Sequence, residues 1–380
     1  MMSNSAERTV ILLGGGHAHA LCLRELGLGR LRSANLVGTR IVLVSDVTDA
    51  PYSGMLPGLI AGHYTYDEVH IDLPRLAKFA GAELILAKCE GVDLSKKEVL
   101  LDNGKKLPFD ILSINIGSTP SQIVIPGADR YATPAKPVSG LLSSWESLLR
   151  EVKDGRRVEV AIVGGGAGGV ELALSMRKRL GRSIPINLLT QDHDILVSHN
   201  PKVRGILRQA LSAGEIGVRN STKVQEIYPD KVVDSLGNEY SSTHTFLVTT
   251  ATTPSWPKES GLAVDSAGFI EVNSQLQSTS HPFVFAAGDI ASMSAAPRPK
   301  SGVFAVRQAK PLLNNILAML NGMPLTPYRP QVRALSLIGT GDKSAVASWG
   351  SFSWHSRTLW LLKEWIDRRF MKKLSGRNSS

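Results

Sequence analysis

The residues that carry the most chemistry form a glycine-rich turn, and the turn occurs twice. Ile11-Leu12-Leu13-Gly14-Gly15-Gly16-His17-Ala18-His19 recurs 150 residues later as Ala161-Ile162-Val163-Gly164-Gly165-Gly166-Ala167-Gly168-Gly169. Each copy is an apolar run that breaks into glycines and leads into a helix-like stretch, the arrangement by which a strand hands a dinucleotide pyrophosphate to a helix N-terminus. Backbone amides must approach the pyrophosphate with no Cβ in the way, which accounts for Gly14, Gly16, Gly164 and Gly166, while Gly169 lets the helix pack closely on its strand. Two such turns imply two nucleotides. The later run Phe283-Val284-Phe285-Ala286-Ala287-Gly288-Asp289 suggests that one of them is a flavin, and a flavin beside a nicotinamide means hydride transfer.

The two turns differ in detail. His19 takes the place of the third glycine in the first copy, where an imidazole must push the helix outward or point between elements. His17 and His19 lack the further partners that a closed metal site needs, so no metal is expected. The acid that usually meets a ribose at the end of the second strand is missing from both copies: Ser45 stands there in the first, before Asp46, and Thr190 in the second, before Gln191. Without a carboxylate the second site has no reason to reject a 2′-phosphate, yet no arginine follows to welcome one, and NADH against NADPH stays open.

The elements that would position these residues follow from patterning. Strands are expected at Thr9 to Leu13, Ile41 to Ser45, Ala82 to Leu86 and Asp110 to Ile116, with a helix from Ala18 to Leu28 and a polar, basic insertion from Gly29 to Arg40. The proline- and glycine-bearing stretch Ile125 to Gly140 reads as a linker into a second unit that repeats the plan. That unit has strands at Glu159 to Val163, Ile186 to Thr190 and Thr245 to Thr249, and a helix from Gly169 to Leu180. Both units close on a strand followed by a Thr-Pro turn, at Thr119-Pro120 and Thr253-Pro254. Residues 268 to 322 return to the first unit, with a helix from Val303 to Leu320, and Ala334 to Ile338 and Ser344 to Ser348 pattern as a hairpin.

Composition fits a folded α/β protein: 380 residues, 43% hydrophobic, 20% charged, with 35 glycines. Of the net charge of +10, half lies in the last thirty residues, where seven basic side chains face only Glu364 and Asp367. Concentrated this way, the charge points to an anionic surface and not to a nucleic-acid-binding body. No run of about twenty apolar residues is present to span a bilayer. With no room for a signal peptide before Thr9, a cytoplasmic protein is expected, peripheral on the cytoplasmic face of a membrane if the tail binds lipid; organelle import is not excluded. The two cysteines, Cys22 and Cys89, form no Cys-x-x-Cys and read as small buried hydrophobes of a reducing compartment.

One nucleotide domain interrupted by a second and then resumed resembles the FAD/NAD(P)-dependent pyridine nucleotide-disulfide oxidoreductase superfamily, and within it the type II NADH dehydrogenases. The closest likeness is to the subgroup also found fused in front of selenide, water dikinase. It is carried by Gly14 to His19, Pro51-Tyr52-Ser53-Gly54-Met55-Leu56-Pro57-Gly58, Leu335-Ser336-Leu337-Ile338-Gly339-Thr340-Gly341-Asp342 and Asp367-Arg368-Arg369-Phe370-Met371. The resemblance implies two Rossmann-like domains plus a small C-terminal α+β segment: FAD bound by 1–125 and 268–330, NAD(P)H by 140–267, and a hairpin and amphipathic basic helix in 331–380. It assigns Gly14, Gly16, His17, Ala18, Ser45, Pro51, Gly117, Gly288 and Asp289 to FAD, and Gly164, Gly166, Gly169, Glu171 and Thr190 to NAD(P)H. Asp289 would meet the ribityl chain, or else cap a helix. Glu171 would sit at the nicotinamide face of the flavin, orienting the carboxamide or relaying a proton, unless it is simply a first-turn carboxylate favoured by the helix dipole.

Disulfide reductases need two thiols on the flavin, and Tyr52-Ser53-Gly54-Met55 offers none. Electrons must then leave directly for a diffusible acceptor, a quinone being the natural candidate. The paired glutamines of type II NADH dehydrogenases fall at Val303 and Arg307 when aligned on Gln308, and neither matches; Lys300, taken as a catalytic residue, and Arg307 make the acceptor pocket cationic. The expected activity is an FAD-dependent oxidoreductase that moves hydride from NAD(P)H to flavin and electrons on to a quinone-like acceptor. The alternatives are a soluble reductase of a protein carrier or a sulfur or selenium species, and a nucleotide-sensing module. Drawn as a helix, the tail puts Leu359, Leu362, Ile366 and Phe370 on one face with Trp365 at its border, and Glu364, Asp367 and Arg368 away. With Trp354 and Trp360, residues 354–374 resemble an interfacial anchor; the alternative is packing on the protein's own core or on a homodimer partner.

Overall fold

The computed structural model describes residues 8–30, 38–120, 125–248, 251–332 and 334–375. Most of the expected basic insertion (residues 31–37), the end of the strand expected to reach Thr249, and Arg377 lie outside the described residues.

Strands β1 (Arg8–Leu13), β2 (Thr39–Ser45), β3 (Glu83–Leu86) and β4 (Ile111–Ile114) form a parallel sheet. Five later strands, β5 (Ala132–Pro134), β6 (Val160–Val163), β7 (Ile186–Leu189), β8 (Gly217–Arg219) and β9 (His244–Leu247), form a second one, in the order β5-β9-β6-β7-β8. The chain then returns to the first sheet with β10 (Val284–Ala286), giving the order β10-β4-β1-β2-β3. Both central strands, β1 and β6, are almost continuous apolar runs because helices cover both faces of a parallel sheet. This is an α/β fold with two Rossmann-like parallel sheets.

Helices α1 (His17–Glu25) and α2 (Ala167–Leu180) begin directly after the glycine turns. The first stops at Glu25, three residues short of expectation, because Gly29 takes φ 92° and the chain opens into a wider turn over Leu26–Arg30. Helix α3 (Gly302–Leu320) packs on α1, where the Cys22 thiol donates to the Ala309 carbonyl at 3.4 Å.

Three sequence expectations need correction. The stretch Ile125 to Gly140 is not a linker, since it contributes β5, which pairs with β9 at the edge of the second sheet. The two Thr-Pro ends do more than stop strands: Thr119-Pro120 pairs antiparallel with Ala251-Thr252, a two-residue ribbon that ties the units together. The C-terminal hairpin is a three-stranded antiparallel sheet, β11 (Ser336–Gly339), β12 (Ala345–Trp349) and β13 (Phe352–Ser356), followed by helix α4 (Arg357–Leu374).

At the centre of the first sheet, buried Asn115 stands just past β4. Its Oδ1 accepts from the Ala18 and His19 amides (3.1 and 3.3 Å), and its Nδ2 donates to the Ala287 carbonyl (2.6 Å). One carboxamide thus fixes the start of α1 and the end of β10, segments almost 270 residues apart in sequence. Asn115→Ala is expected to lower the unfolding free energy by about 2–4 kcal/mol, because it strands buried donors and an acceptor together. Urea denaturation followed by tryptophan fluorescence measures the loss.

Candidate functional site

The first glycine turn is built as tightly as its sequence demands. Gly14 takes φ +95°, and a Cβ there would come within 2.6 Å of the Asn115 carbonyl; a Cβ on Gly16 would strike the Asn115 side chain. In this copy the glycines are therefore required first by the neighbouring strand end. His19 resolves inward, not outward: its Nδ1 lies 2.7 Å from the Gly14 carbonyl and its Nε2 2.7 Å from Ser113 Oγ, so the imidazole fills the space between α1 and β4 as a satisfied core group. Burial holds His19 at a pKa of about 4, hence neutral.

His17 differs. Its ring is half-buried, desolvation lowers its pKa to about 4, and its buried Nε2 has no hydrogen-bond partner among the described residues. Tyr52 and Phe370 meet it edge-on, with centroids at 5.2 and 5.8 Å, and Tyr52 stacks on Phe370 at 4.6 Å. An unsatisfied buried nitrogen beside a glycine turn is what a bound nucleotide group would complete. Asp289 faces the same space. It lies in the short 3₁₀ turn Gly288–Ile290 after β10, and no side-chain cap forms there, so the capping role is not taken. Its Oδ2 instead accepts from Lys136 Nζ at 3.3 Å and Ser118 Oγ at 3.4 Å, while Lys136 also donates to Ser118 Oγ at 2.8 Å. The Gly288 amide donates to Gln308 Oε1 at 2.6 Å.

The second turn meets the first across a shared wall. Gly164 takes φ 132°, a Cβ on Gly169 would strike the Gly164 carbonyl, and one on Gly166 would meet nothing within 4 Å. Gly169 is thus needed for helix-on-strand packing, as expected, and Gly166 opens onto free space where an approaching phosphate could reach backbone amides. Two residues on, Glu171 Oε1 accepts from the Gly339 amide at 2.7 Å, joining α2 to the C-terminal sheet. Burial pushes the Glu171 carboxyl above the ordinary glutamate range, with the Lys363 charge opposing. Beside it lies a cavity of ≈ 10 Å³, about the room of one water, lined among others by Ser175, His63, Trp360 and Lys363.

Helix α4 supplies that wall. Lys363 Nζ donates to Asp367 Oδ2 at 2.6 Å and to the Gly54 carbonyl at 2.5 Å, and Tyr52 OH donates to Asp367 Oδ1 at 2.8 Å. The ion pair is buried, with side chains 11% and 6% exposed, and its extra hydrogen bonds offset the cost of desolvation. The helical-wheel assignment of the tail is corrected accordingly. Leu359, Trp360, Lys363, Asp367, Phe370 and Leu374 are buried, whereas Leu361, Leu362, Trp365 and Ile366 are exposed, so Asp367 does not point away into solvent and Leu362 and Ile366 are not buried with Leu359.

Other expected residues stand apart from this cluster. Ser45 is buried and turns the chain locally, exchanging hydrogen bonds with Val47, while the neighbouring Asp46 borders an open groove with Lys88, Asp102 and Asn103. Pro51 closes a short strand paired with His70, and Gly117 (φ 73°) has open space where a Cβ would be. Thr190 is buried at the end of β7, its Oγ1 accepting from the Asp192 amide. Lys300 does not join Glu171: its Nζ donates to the Ala291 carbonyl at 2.6 Å and lies 3.8 Å over the Phe269 ring. Val303 and Arg307 are exposed on α3. Asn115, Lys136, Tyr52 and Lys363 were missed by sequence reasoning. Tyr52 lay inside a quoted motif and Lys363 stands one helical turn before Asp367, a spacing that signals the pair but not its burial, whereas Lys136 has no local signal because its partner Asp289 is chosen by tertiary contact.

Residues 8–309 match the pyridine nucleotide-disulphide oxidoreductase family. The chain belongs to this family. It is accordingly an oxidoreductase that works with FAD and a pyridine nucleotide. It is 28% identical to demethylphylloquinone reductase NdbB of Synechocystis over 90% of this chain and 87% of that protein. It is 25% identical to the alternative NAD(P)H-ubiquinone oxidoreductase C1 of Arabidopsis thaliana, over 85% and 69%. Among solved structures, NDH2 of Plasmodium falciparum in complex with NADH superimposes with a TM-score of 0.81 at 14% identity, covering 97% of each chain.

The two histidines held neutral by desolvation, His17 and His19, make a pH prediction. Between about pH 4 and 6.5 the unfolded chain protonates both imidazoles and the native state does not, so stability falls as pH falls through that window. The expected slope is about 1.4 kcal/mol per pH unit for each histidine. His17→Asn should remove about half of it in denaturant titrations run from pH 4 to 7.

Proposed function

We propose that this chain oxidises NAD(P)H and passes the electrons to a quinone, with FAD lying along the first glycine turn toward Asp289 and the nicotinamide nucleotide along Gly164, Gly166 and Gly169. FAD supplies the flavin ring that takes two electrons from the nicotinamide and gives them to the acceptor. One observation carries this reading: His17, from the first turn, and Glu171, from the helix of the second, lie against the same wall of α4, through Phe370 and through Lys363. The acceptor follows from the thiols. Cys22 and Cys89 are pushed up to about 12 by burial, and Cys22 is committed to Ala309, so no dithiol serves as a relay. Direct exit to a small acceptor remains, and the demethylphylloquinone and ubiquinone reductases similar to this chain favour a quinone.

Glu171 is the residue for proton handling. Its carboxyl is held by the Gly339 amide beside the water-sized cavity, its affinity for a proton is raised by burial, and quinone reduction consumes protons. Lys363 and Asp367 position α4 and set the local field. Lys136, paired with Asp289, orients that carboxylate toward the cofactor. Anaerobic mixing of the FAD-loaded protein with NADH or NADPH should bleach the visible flavin absorbance, and Glu171→Gln should keep the bleaching while lowering quinone turnover by about 10²-fold. A flavin that neither nucleotide reduces sinks this reading.

The quinone would be reached at a membrane surface. Leu361, Leu362, Trp365 and Ile366 on the outer face of α4, with Trp349, Phe352 and Trp354 of the adjoining sheet, leave exposed apolar side chains bordered by Arg357, Arg369, Lys372 and Lys373. Exposed tryptophans flanked by cations suit the headgroup region of an anionic bilayer. No helix among the described residues is long and apolar enough to cross a membrane. Trp365→Glu with Ile366→Glu should abolish co-sedimentation with phosphatidylglycerol vesicles and spare reduction of a water-soluble quinone; an unmodified chain that stays off such vesicles rejects the membrane contact.

A further inference from the structure

We propose that the nucleotide site at Gly164 to Gly169 is made for a 2′-phosphate, so that NADPH is preferred over NADH, with Arg219 and Lys223 holding that phosphate. This rests on the assignment of the second glycine turn to the nicotinamide nucleotide. In such folds the end of the strand after the first helix meets the adenosine ribose, and a carboxylate there selects the free 2′-hydroxyl. Here that position is Thr190, whose hydroxyl is turned to the Asp192 amide at 3.3 Å.

Tertiary structure then brings in what the local sequence lacks. Strand β8 lies beside β7 with Arg219 in register with Leu189, and the Thr190 amide donates to the Arg219 carbonyl at 2.9 Å. Beyond Arg219 the chain turns through Ser221, at φ 52°, and runs back along the Thr190–Asp192 turn. The Ser221 amide donates to the Asp192 carbonyl and the Thr222 amide to the Thr190 carbonyl, both at 2.8 Å. Arg219 and Lys223 therefore bracket the turn where the ribose would lie. Both are exposed, and among the described residues neither side chain has a hydrogen bond or ion pair.

The opposing charge is small. Asp194 is buried and already engaged by Arg204 at 3.2 Å and Arg208 at 3.7 Å, which leaves Asp192 as the acid on the turn itself. Two uncommitted cations against one carboxylate favour a dianionic phosphate, and an arginine fork matches its oxygens with two parallel hydrogen bonds. NADH would leave both cations in water without penalty, so selection comes from the gain on binding the phosphate.

The test is isothermal titration of the FAD-loaded full chain with 2′,5′-ADP and with 5′-AMP. The expected result is about tenfold tighter binding of 2′,5′-ADP at low salt, shrinking as salt screens the phosphate. Arg219→Gln and Lys223→Gln should each remove much of the preference and leave 5′-AMP affinity unchanged; both sites are exposed, so the fold is not at stake. Equal affinities, a preference for 5′-AMP, no binding of either fragment, or a preference that survives both substitutions overturns the proposal. Flavin bleaching by saturating NADH and NADPH separates the two levels. Bleaching with equal fragment affinities keeps the oxidoreductase reading and removes the 2′-phosphate one, whereas a 2′,5′-ADP preference without bleaching supports the phosphate site and removes the electron route.

Discussion

The fold hangs on how closely two backbones approach at Asn115. The strand end that carries it lies so near the first glycine turn that neither Gly14 nor Gly16 can bear a side chain, and its carboxamide satisfies two amides at the start of α1 together with the carbonyl of Ala287. These are groups that a helix start and a strand end leave unpaired. Pairing them through one side chain couples the N-terminal turn to β10, which enters the sheet only after the whole second unit has been laid down. Asp289 follows two residues later, so its position depends on the same contact.

A second constraint joins the C-terminus to the site. Helix α4 is two-faced in an unusual sense: its inner face carries the buried Lys363–Asp367 pair and Phe370, and its outer face carries apolar side chains in solvent. A helix selected only to pack would bury Leu361, Leu362, Trp365 and Ile366. Instead a lysine and an aspartate are turned inward at the cost of desolvation, offset by bonds to Gly54 and Tyr52. The charges sit beside Glu171, and the outer face keeps its apolar side chains exposed. The wall of the site and the exposed apolar surface are therefore opposite sides of one helix.

Much of this was legible in the sequence. Apolar runs ending in glycine specify buried parallel strands and tight turns, and their recurrence announced the doubled plan, because strand period and glycine backbone freedom are local properties. The tail helix was legible as a helix, but not its inward face. Counting hydrophobicity favours Leu362 and Ile366 as core, whereas the buried pair makes Lys363 and Asp367 core by neutralising each other, a possibility that no wheel of single residues contains. Ile125 to Gly140 looked like a linker for a similar reason: its prolines discourage helix locally, but an edge strand tolerates them once a neighbouring strand is present.

The sequence by itself determined the two glycine turns and the apolar strands before them, since each is fixed by residues adjacent in the chain. Tertiary structure alone brought Lys136 to Asp289 and Arg219 alongside Thr190, 29 residues earlier, and decided that Lys363 and Asp367, one helical turn apart, are paired in the interior and not in solvent. The physical reason is range. Backbone conformation responds to neighbours within a few residues, while an ion pair or a phosphate site depends on distances of a few ångströms that only the folded sheets set.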